Sequence, residues 1–469
     1  MPDTSMTHKQ APDSTVRLSG PLLWTLIATS FAFVIVQLDV TIVNVALPQI
    51  GFRLHSGVSG LQWVIDAYTL TFAVLLISAG VLGDRFGSRR AYLAGFFIFT
   101  IASAACGLAP NILILITARA VQGIGAALLV PSSLALLNHA AANNARMRAR
   151  MVGLWTAAGG VSIAAGPIVG GLLLARLSWR SIFLVNLPIG ALGAWLSLRY
   201  IPADEKEQGK RSLDFPGQLL AIITLTGLTG GVIELRQLGL MHPLIIASFA
   251  VAIIGAVIFL IVEGHSRSPM LPLRFFTLPN FSPAVLFGIV VNLTYYGVIF
   301  VLSLYLQRAH RYSALKTGLA YLPLTGTFII SNVISGWLVG RSGSRLPMTL
   351  GGFIGACGYA LLCLLGDSSS FWLMLPAFAL IPSGMGLGVP AMTTAILASV
   401  DREWSGTASA VLNTARQAGA AIGVAAFGAL VGGAKGEIVH GLHIAAITST
   451  VLLVGAGGLS YLTIRKLPH

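Results

Sequence analysis

The sequence predicts an all-α integral membrane protein. Fourteen transmembrane helices are expected in a 6 + 2 + 6 order, with two six-helix halves related by a pseudo-two-fold axis. Three observations carry this reading. Of 469 residues, 55% are hydrophobic and only 9% charged, whereas a soluble domain carries about 25% charged residues. So little polar surface cannot cover a water-facing globule. The apolar residues gather into runs of span length. One phrase, "GVLGDRFGSRR" at residues 80–90, returns as "GWLVGRSGSRL" at residues 336–346.

A span needs about 20 residues at about 1.5 Å rise each. Walking the chain gives candidate spans at 22–47, 60–82, 91–109, 111–138, 150–174, 181–200, 215–235, 243–262, 281–306, 316–340, 347–366, 371–399, 405–432 and 442–464. Residues 1–20 are polar and read as a disordered cytoplasmic tail. The run after them is too long for a signal-peptide core and lacks a small-residue cleavage site, so it is expected to stay as the first helix. Residues 21–200 form an N-terminal six-helix bundle in this reading. Residues 201–279 supply the polar linker "PADEKEQGKRS" and two extra helices, and 280–465 form the C-terminal six-helix bundle.

The basic residues orient the map. With the N-terminus in the cytoplasm, 19 of the 29 Lys and Arg fall on the cytoplasmic side and 8 outside, and Arg119 and Arg416 lie within spans. The excess places both termini in the cytoplasm. The loop "RAHRYSALK" is the exception, basic yet assigned outside. The net charge of +14 is therefore topology charge rather than a phosphate-binding face. No recognition motif accompanies it, and no nucleic-acid partner is expected. Cys106, Cys357 and Cys363 all lie in apolar runs without metal-ligand spacing. There is no phosphate loop, zinc-binding H-E-x-x-H or nucleophile elbow. The sequence predicts no enzyme, no catalytic residues, no metal and no cofactor, which leaves an ion gradient as the energy source.

The repeated phrase is displaced by 256 residues. Arg85 falls on Arg341, Gly87 on Gly343, Ser88 on Ser344, Arg89 on Arg345 and Gly95 on Gly351. The first copy joins spans 2 and 3, the second spans 10 and 11, so the shift is eight spans. Two six-span repeats with a pair of spans inserted between them explain it. Parallel halves of this kind hold a substrate site between them at mid-depth and rock about it. Gly80 is expected to allow close helix approach, and Asp84 to cap a helix or pair with an arginine. Arg85, Arg89 and Arg90, with Arg341 and Arg345 in the second copy, are expected to pin a gating loop to the cytoplasmic face. The second copy carries Gly340 in place of Asp84.

"GVLGDRFGSRR" resembles motif A of the major facilitator superfamily. "RAVQGIGAALLVPSS", from Arg119, resembles its motif B. "SIAAGPIVGG", residues 162–171, is similar to motif C of drug:proton antiporters, with Ser162 in place of the usual leading glycine. "LDVTIVNVALP" at 38–48, "SWRSIFLVNLPIG" and "NTARQAGAAIG" resemble the fourteen-helix antiporters of the EmrB/QacA type. The resemblance covers essentially the whole chain. It implies a proton-coupled exporter of lipophilic, preferentially cationic, drugs or toxic compounds in a bacterial cytoplasmic (inner) membrane. Its partners would be a small lipophilic substrate, protons and membrane lipids. For Gly166, Pro167, Gly170 and Gly171 it implies a role in antiport direction and in preventing leak. A narrow exporter of one metabolite, natural product or siderophore is the alternative. Whether an adaptor and an outer-membrane channel join it is not written in the sequence.

An ionisable side chain inside a span costs about 2.5–3.5 kcal/mol on insertion and points to function. Asp39, Asp66, Arg119 and Arg416 qualify. Glu234 and Glu263 lie at span ends and are expected to reach water. Counting turns places Asp39, Asp66 and Arg119 in one layer, roughly 9–12 Å below the outer surface. Arg119 stays charged and needs a partner, Asp39 first. Asp66 is then left to bind and release a proton, and a bound cation would expel it. The two aspartates can exchange these roles, and each can also be structural. Arg416, beside Asn413, Thr414 and Gln417, reads equally as a packing ion or a gate residue of the second half. Trp63, Tyr68, Trp155, Tyr295 and Tyr296 are aromatics that can stack on a cargo or simply pack.

Overall fold

The computed structural model describes residues 20–141, 145–203, 214–266, 269–401, 404–431 and 435–464. Of the expected tail, only Gly20 lies within them. Residues 204–213 of the linker region, with Lys206, Lys210 and Arg211, lie outside the described residues, as do Arg267, Arg402, Arg465 and Lys466.

The described residues fold into helices and contain no strand. α1 (Gly20–Arg53), α2 (Val58–Phe86), α3 (Ser88–Leu108) and α4 (Ile112–Ala140) follow each other through short turns, and α5 (Ala145–Arg176) is the next helix. A single turn, α6 (Ser181–Leu184), leads into α7 (Asn186–Tyr200). α8 (Phe215–Leu238) and α9 (Pro243–His265) form a hairpin. α10 (Phe281–Leu304) ends in a π-helical turn at Tyr305–Ala309. α11 (Ala314–Ala320) leads into α12 (Leu322–Ser342), followed by α13 (Arg345–Leu362), α14 (Phe371–Leu397), α15 (Ser405–Ala429) and α16 (Lys435–Thr463). Among the described residues, twelve helical segments are long and apolar enough to cross a membrane. α13 and α15, of 18 and 25 residues, are not among the twelve. Both are rich in Gly and Ala, which lowers hydropathy while letting neighbouring backbones approach.

Packing repeats along the chain. In the first half α2 and α3 pack on α4, α1 packs on α5, α7 and α4, and α3 on α7. In the second, α12 and α13 pack on α14, α10 on α15, α16 and α14, and α13 on α16. The halves meet through α2 with α15, α5 with α11 and α1 with α10. α9 packs on α8, and α8 lies across both α2 and α15, so the hairpin covers that seam. Over its most apolar stretch α9 has a mean hydropathy of 3.1 and is only 17% buried, the profile of a helix facing lipid.

The repeated phrase encodes a turn. Gly87 (φ 100°) and Gly343 (φ 71°) occupy the left-handed region, where an L side chain is strained. The Gly87 N–H donates to the carbonyl of Gly83 at 2.9 Å and the Gly343 N–H to that of Val339 at 3.0 Å. These pairs are offset by the same 256 residues. Close approach belongs to the next glycine of the repeat: a Cβ on Gly95 would lie 3.1 Å from the Gly125 carbonyl on α4, and one on Gly351 2.6 Å from the Gly384 carbonyl on α14. The expectation for Gly80 is corrected, because a Cβ there would meet nothing within 4 Å. The expectation for Glu263 is also corrected. It is 3% exposed, because the chain after α9 folds back over it and the Leu271 N–H donates to its Oε2 at 3.1 Å.

The contacts between halves sit at the end opposite the repeated phrase. Gln62 on α2 donates to the carbonyls of Val424 (3.1 Å) and Ala425 (2.8 Å) on α15. Gln307, in the π-helical turn after α10, donates to the Val45 carbonyl at 3.0 Å, and Ser303 to that of Asn44 at 2.5 Å. The molecule is therefore closed at that end.

Candidate functional site: a buried ion pair and a carboxylate without a partner

Arg119 and Gln122 lie three residues apart on α4 and so share one face. Arg119 Nη1 donates to Asp39 Oδ2 of α1 at 2.5 Å and to Gln122 Oε1 at 2.7 Å, and its Nε donates to the Val64 carbonyl of α2 at 3.0 Å. Asp39 Oδ1 accepts from Gln122 Nε2 and from Asn186 Nδ2 of α7, both at 2.9 Å. Ser103 Oγ of α3 accepts from the same two amides at 2.7 and 3.3 Å. The guanidinium lies 4.2 Å from the centroid of the Tyr68 ring. One network thus ties five helices of the first half. Asp39, Gln122 and Asn186 are fully buried and Arg119 is 1% exposed. The opposite charges of Asp39 and Arg119 cancel inside it and both Asp39 oxygens are bonded, the condition under which a buried pair is tolerated, while Asn186 Oδ1 is left without a partner.

Gln122, Ser103 and Asn186 were not singled out from sequence. Gln122 had a usable signal, being one turn after a lone buried arginine. Asn186 had a weaker one, as an isolated amide in an apolar run.

Asp66 is brought to a different place. It is fully buried, and neither carboxylate oxygen has a hydrogen-bond partner. It sits one helical turn after Gln62, the residue bound to α15, so it faces the seam between the halves rather than the Asp39–Arg119 network. The expected layer therefore divides into a pair and a solitary carboxylate.

Arg416 on α15 is half-buried. Its Nη1 reaches Asn413 Oδ1 at 3.5 Å, and its Nε is buried with no partner. Its Cγ lies over Gly288 of α10. Thr414 Oγ1 also has no partner, and Gln417 is half-buried beside it.

The glycines of "GPIVGG" serve two contacts. A Cβ on Gly170 would lie 2.9 Å from the Ile42 side chain, and one on Gly166 would collide with Thr41, both on α1. On Gly171 it would lie 2.7 Å from Leu315 Cα of α11, in the other half. Next to it the Pro167 carbonyl sits against Gly318. Ser162, in place of the usual glycine, turns its hydroxyl to the Ala158 carbonyl of its own helix at 3.0 Å.

The turn arginines tether each half to its last helix. Arg89 Nη2 donates to the Leu198 carbonyl in the final turn of α7 at 2.9 Å, where a cation also complements the helix dipole. Arg345, its repeat partner, lies 4.4 Å from the Tyr461 ring centroid on α16. Arg341 covers Trp337 at 4.0 Å and Arg85 covers Phe86 at 5.4 Å. Asp84 and Arg90 also engage neighbours.

Of the aromatics, Tyr68 is absorbed under Arg119. Trp155 stacks on Phe33 at 4.0 Å, Tyr295 meets Tyr296 edge-on at 5.4 Å, and Trp63 Nε1 donates to Glu234 at 3.1 Å. A cavity of about 760 Å³ opens at the closed end, lined from both halves by Arg53, Trp179, Arg180, Gln307 and Tyr312 among others. No group of three or more His, Cys, Asp or Glu that could hold a metal occurs among the described residues.

This arrangement has recognisable relatives. The sequence profile of the Major Facilitator Superfamily matches residues 29–424. The multidrug resistance protein Stp of Mycobacterium tuberculosis is 38% identical over 87% of this chain and 76% of its own length. The methylenomycin A resistance protein of Streptomyces coelicolor is 38% identical over 86% of this chain and 84% of its own. The tetracenomycin C resistance and export protein of Streptomyces glaucescens is 31% identical over 88% and 77%. Among solved structures, a bacterial homolog of the human lysosomal transporter Spinster, inward-facing and unoccupied, superposes with a TM-score of 0.64 at 17% identity, covering 95% of this chain and 97% of that one.

Proposed function

The chain belongs to the major facilitator superfamily, and from that premise we propose that it is a proton-coupled antiporter that exports lipophilic toxic compounds across a bacterial cytoplasmic membrane. It spans the membrane fourteen times in a 6 + 2 + 6 order with both termini in the cytoplasm. Protons supply the energy, no cofactor is required, and lipid surrounds it. The closed end is then the outer one, and the described conformation opens towards the cytoplasm.

The observation that carries the proposal is the unequal treatment of two aspartates. Asp39 is neutralised by Arg119 and both its oxygens are hydrogen-bonded, whereas Asp66 is buried with both oxygens unbonded. Of the two carboxyl groups, only Asp66 can take up and release a proton without breaking a hydrogen-bonded ion pair. Asp66 is the proton carrier, and the Asp39–Arg119 pair is the scaffold. Rocking of the halves re-exposes Asp66 to the opposite side. The turns at Gly87 and Gly343 with their arginines gate the cytoplasmic end, and Gly166, Pro167, Gly170 and Gly171 seal the outer one. A preference for cations rests on Asp66 alone, since Asp39 is spent on Arg119. A second reading, an exporter dedicated to one compound, draws support from relatives named for single antibiotics.

Proteoliposomes with an imposed pH gradient and an internal pH dye test this. Lipophilic cations, anions and neutral amphiphiles are added to wild type, Asp39→Asn and Asp66→Asn. Cargo-triggered proton flux that Asp66→Asn abolishes is expected. Flux that survives Asp66→Asn and is lost only in Asp39→Asn exchanges the roles. Absence of flux with every class of compound overturns antiport.

A further inference from the structure

Charge bookkeeping inside the bilayer is incomplete in the described conformation. Among the described residues four charged side chains lie within the long helices away from their ends, Asp39, Asp66 and Arg119 buried and Arg416 half-buried. Asp39 and Arg119 cancel at 2.5 Å. Asp66 and Arg416 remain. Neither has a counter-charge among the described residues, and the two lie on helices that pack against each other, α2 and α15.

The register of those helices places them on neighbouring levels. α2 and α15 run antiparallel, and Gln62 is level with Val424 and Ala425. Stepping one turn along α2 to Asp66 moves the matching level on α15 to about residue 420. Arg416 lies one further turn on, about 6 Å along the axis, on the side of the repeated phrase. A guanidinium stem can cover that axial offset once the two helices approach at this level. In the described conformation the guanidinium instead points to Asn413 Oδ1, a contact of 3.5 Å, and near Tyr296.

The other titratable and charged groups around Asp66 are accounted for. From α1 and α4, Asp39 and Arg119 hold each other. Tyr68, on α2 itself, lies under Arg119, and Cys106 of α3 contacts Gln122. Glu234 of α8 accepts from Trp63, and Arg236 pairs with Glu437 at 3.1 Å. Arg416 is the one charged side chain of α15.

We propose that Asp66 and Arg416 form a latent ion pair across the seam between the halves, broken in the described conformation and made when Asp66 gives up its proton and the phrase end closes. Arg416 is then a positioning residue for proton release. The inference rests on Asp66 being the proton carrier. Rocking that opens the outer end closes the phrase end, which carries the Arg416 level of α15 towards α2. The ionised carboxylate gains a partner there that it lacks in the described conformation. Protonation removes the attraction and returns the arginine to Asn413. The device makes one proton the switch between two packings, because a bare carboxylate and a bare guanidinium are each expensive in a low-dielectric interior.

The test is the pH profile of cargo-driven proton flux in proteoliposomes for wild type, Arg416→Gln, Arg416→Lys and Asp66→Asn. Without its counter-charge Asp66 keeps its proton to higher pH. Half-maximal flux should therefore move to more alkaline pH by about one unit or more in Arg416→Gln and return close to wild type in Arg416→Lys. Thermal melts of each variant separate this from misfolding. An unchanged profile in Arg416→Gln overturns the latent pair while leaving Asp66 as carrier. Flux that survives Asp66→Asn instead overturns the carrier assignment on which the inference stands.

Discussion

Asp39 and Asp66 are the same residue type in neighbouring helices, and burial treats them in opposite ways. Removing one member of a buried ion pair strands the other, at a cost of about 3–5 kcal/mol. Asp39→Asn, which leaves Arg119 unpaired, should lower the melting temperature in detergent markedly. Asp66→Asn replaces an unbonded carboxyl by an amide of similar volume. It should leave the melting temperature unchanged or raise it, while abolishing proton exchange. Equal melting of the two variants would show that Asp66 also has a structural partner. The sequence exposed both aspartates and both arginines because each is a lone charge in an apolar run. It did not divide them, because Arg119 and Asp39 are 80 residues apart and the choice of partner depends on which face of α2 turns towards α4 and which towards α15. The amides that complete the network were hidden for a related reason: Gln122, Asn186 and Ser103 carry no charge, so nothing in a hydropathy pattern marks them.

At the scale of elements, the phrase written twice marks two turns rather than two close helix contacts. Gly87→Ala places a Cβ at φ 100° and should destabilise by about 1–2 kcal/mol. Gly80→Ala, in a helix interior with open space around it, should be neutral or stabilise by up to about 1 kcal/mol. Chemical denaturation of the two variants side by side checks the contrast, and equal losses would restore the close-contact reading of Gly80. The phrase and its spacing were legible in sequence because both halves need the same turn at the same place. The distinction between its glycines was not legible, because a turn glycine and a packing glycine are the same letter and differ only in backbone angle and neighbours.

For the molecule as a whole, the position of the closed end decides what can move. Gly171 admits the backbone of α11 at Leu315, and Gly318 admits the carbonyl of Pro167, so each half contributes a glycine to one contact. Gly171→Val drives a side chain into that backbone, an overpacking penalty of about 1–3 kcal/mol. The population should shift towards opening at that end. A cysteine at Ser303, buried in the α1–α10 contact, should then react about tenfold faster with an impermeant maleimide added from the side opposite the repeated phrase. Unchanged labelling would mean that Gly171 packs without gating. The α8–α9 hairpin belongs to this scale too. The sequence shows two apolar runs there, and their place over the α2–α15 seam appears only in the assembled bundle.

By itself the sequence determined that this chain lives in a bilayer, that one phrase is written twice 256 residues apart, and which four charges fall within its apolar runs. Those are properties of run length, spacing and composition, and they survive without coordinates because hydrocarbon penalises every exposed polar group wherever it points. Only the tertiary structure decided which charges cancel, which carboxylate is left over, which glycines turn and which ones pack, and at which end the halves touch. Each of these depends on the rotation of one helix against another, and a helix of nearly uniform apolarity does not encode that rotation in any period of its own.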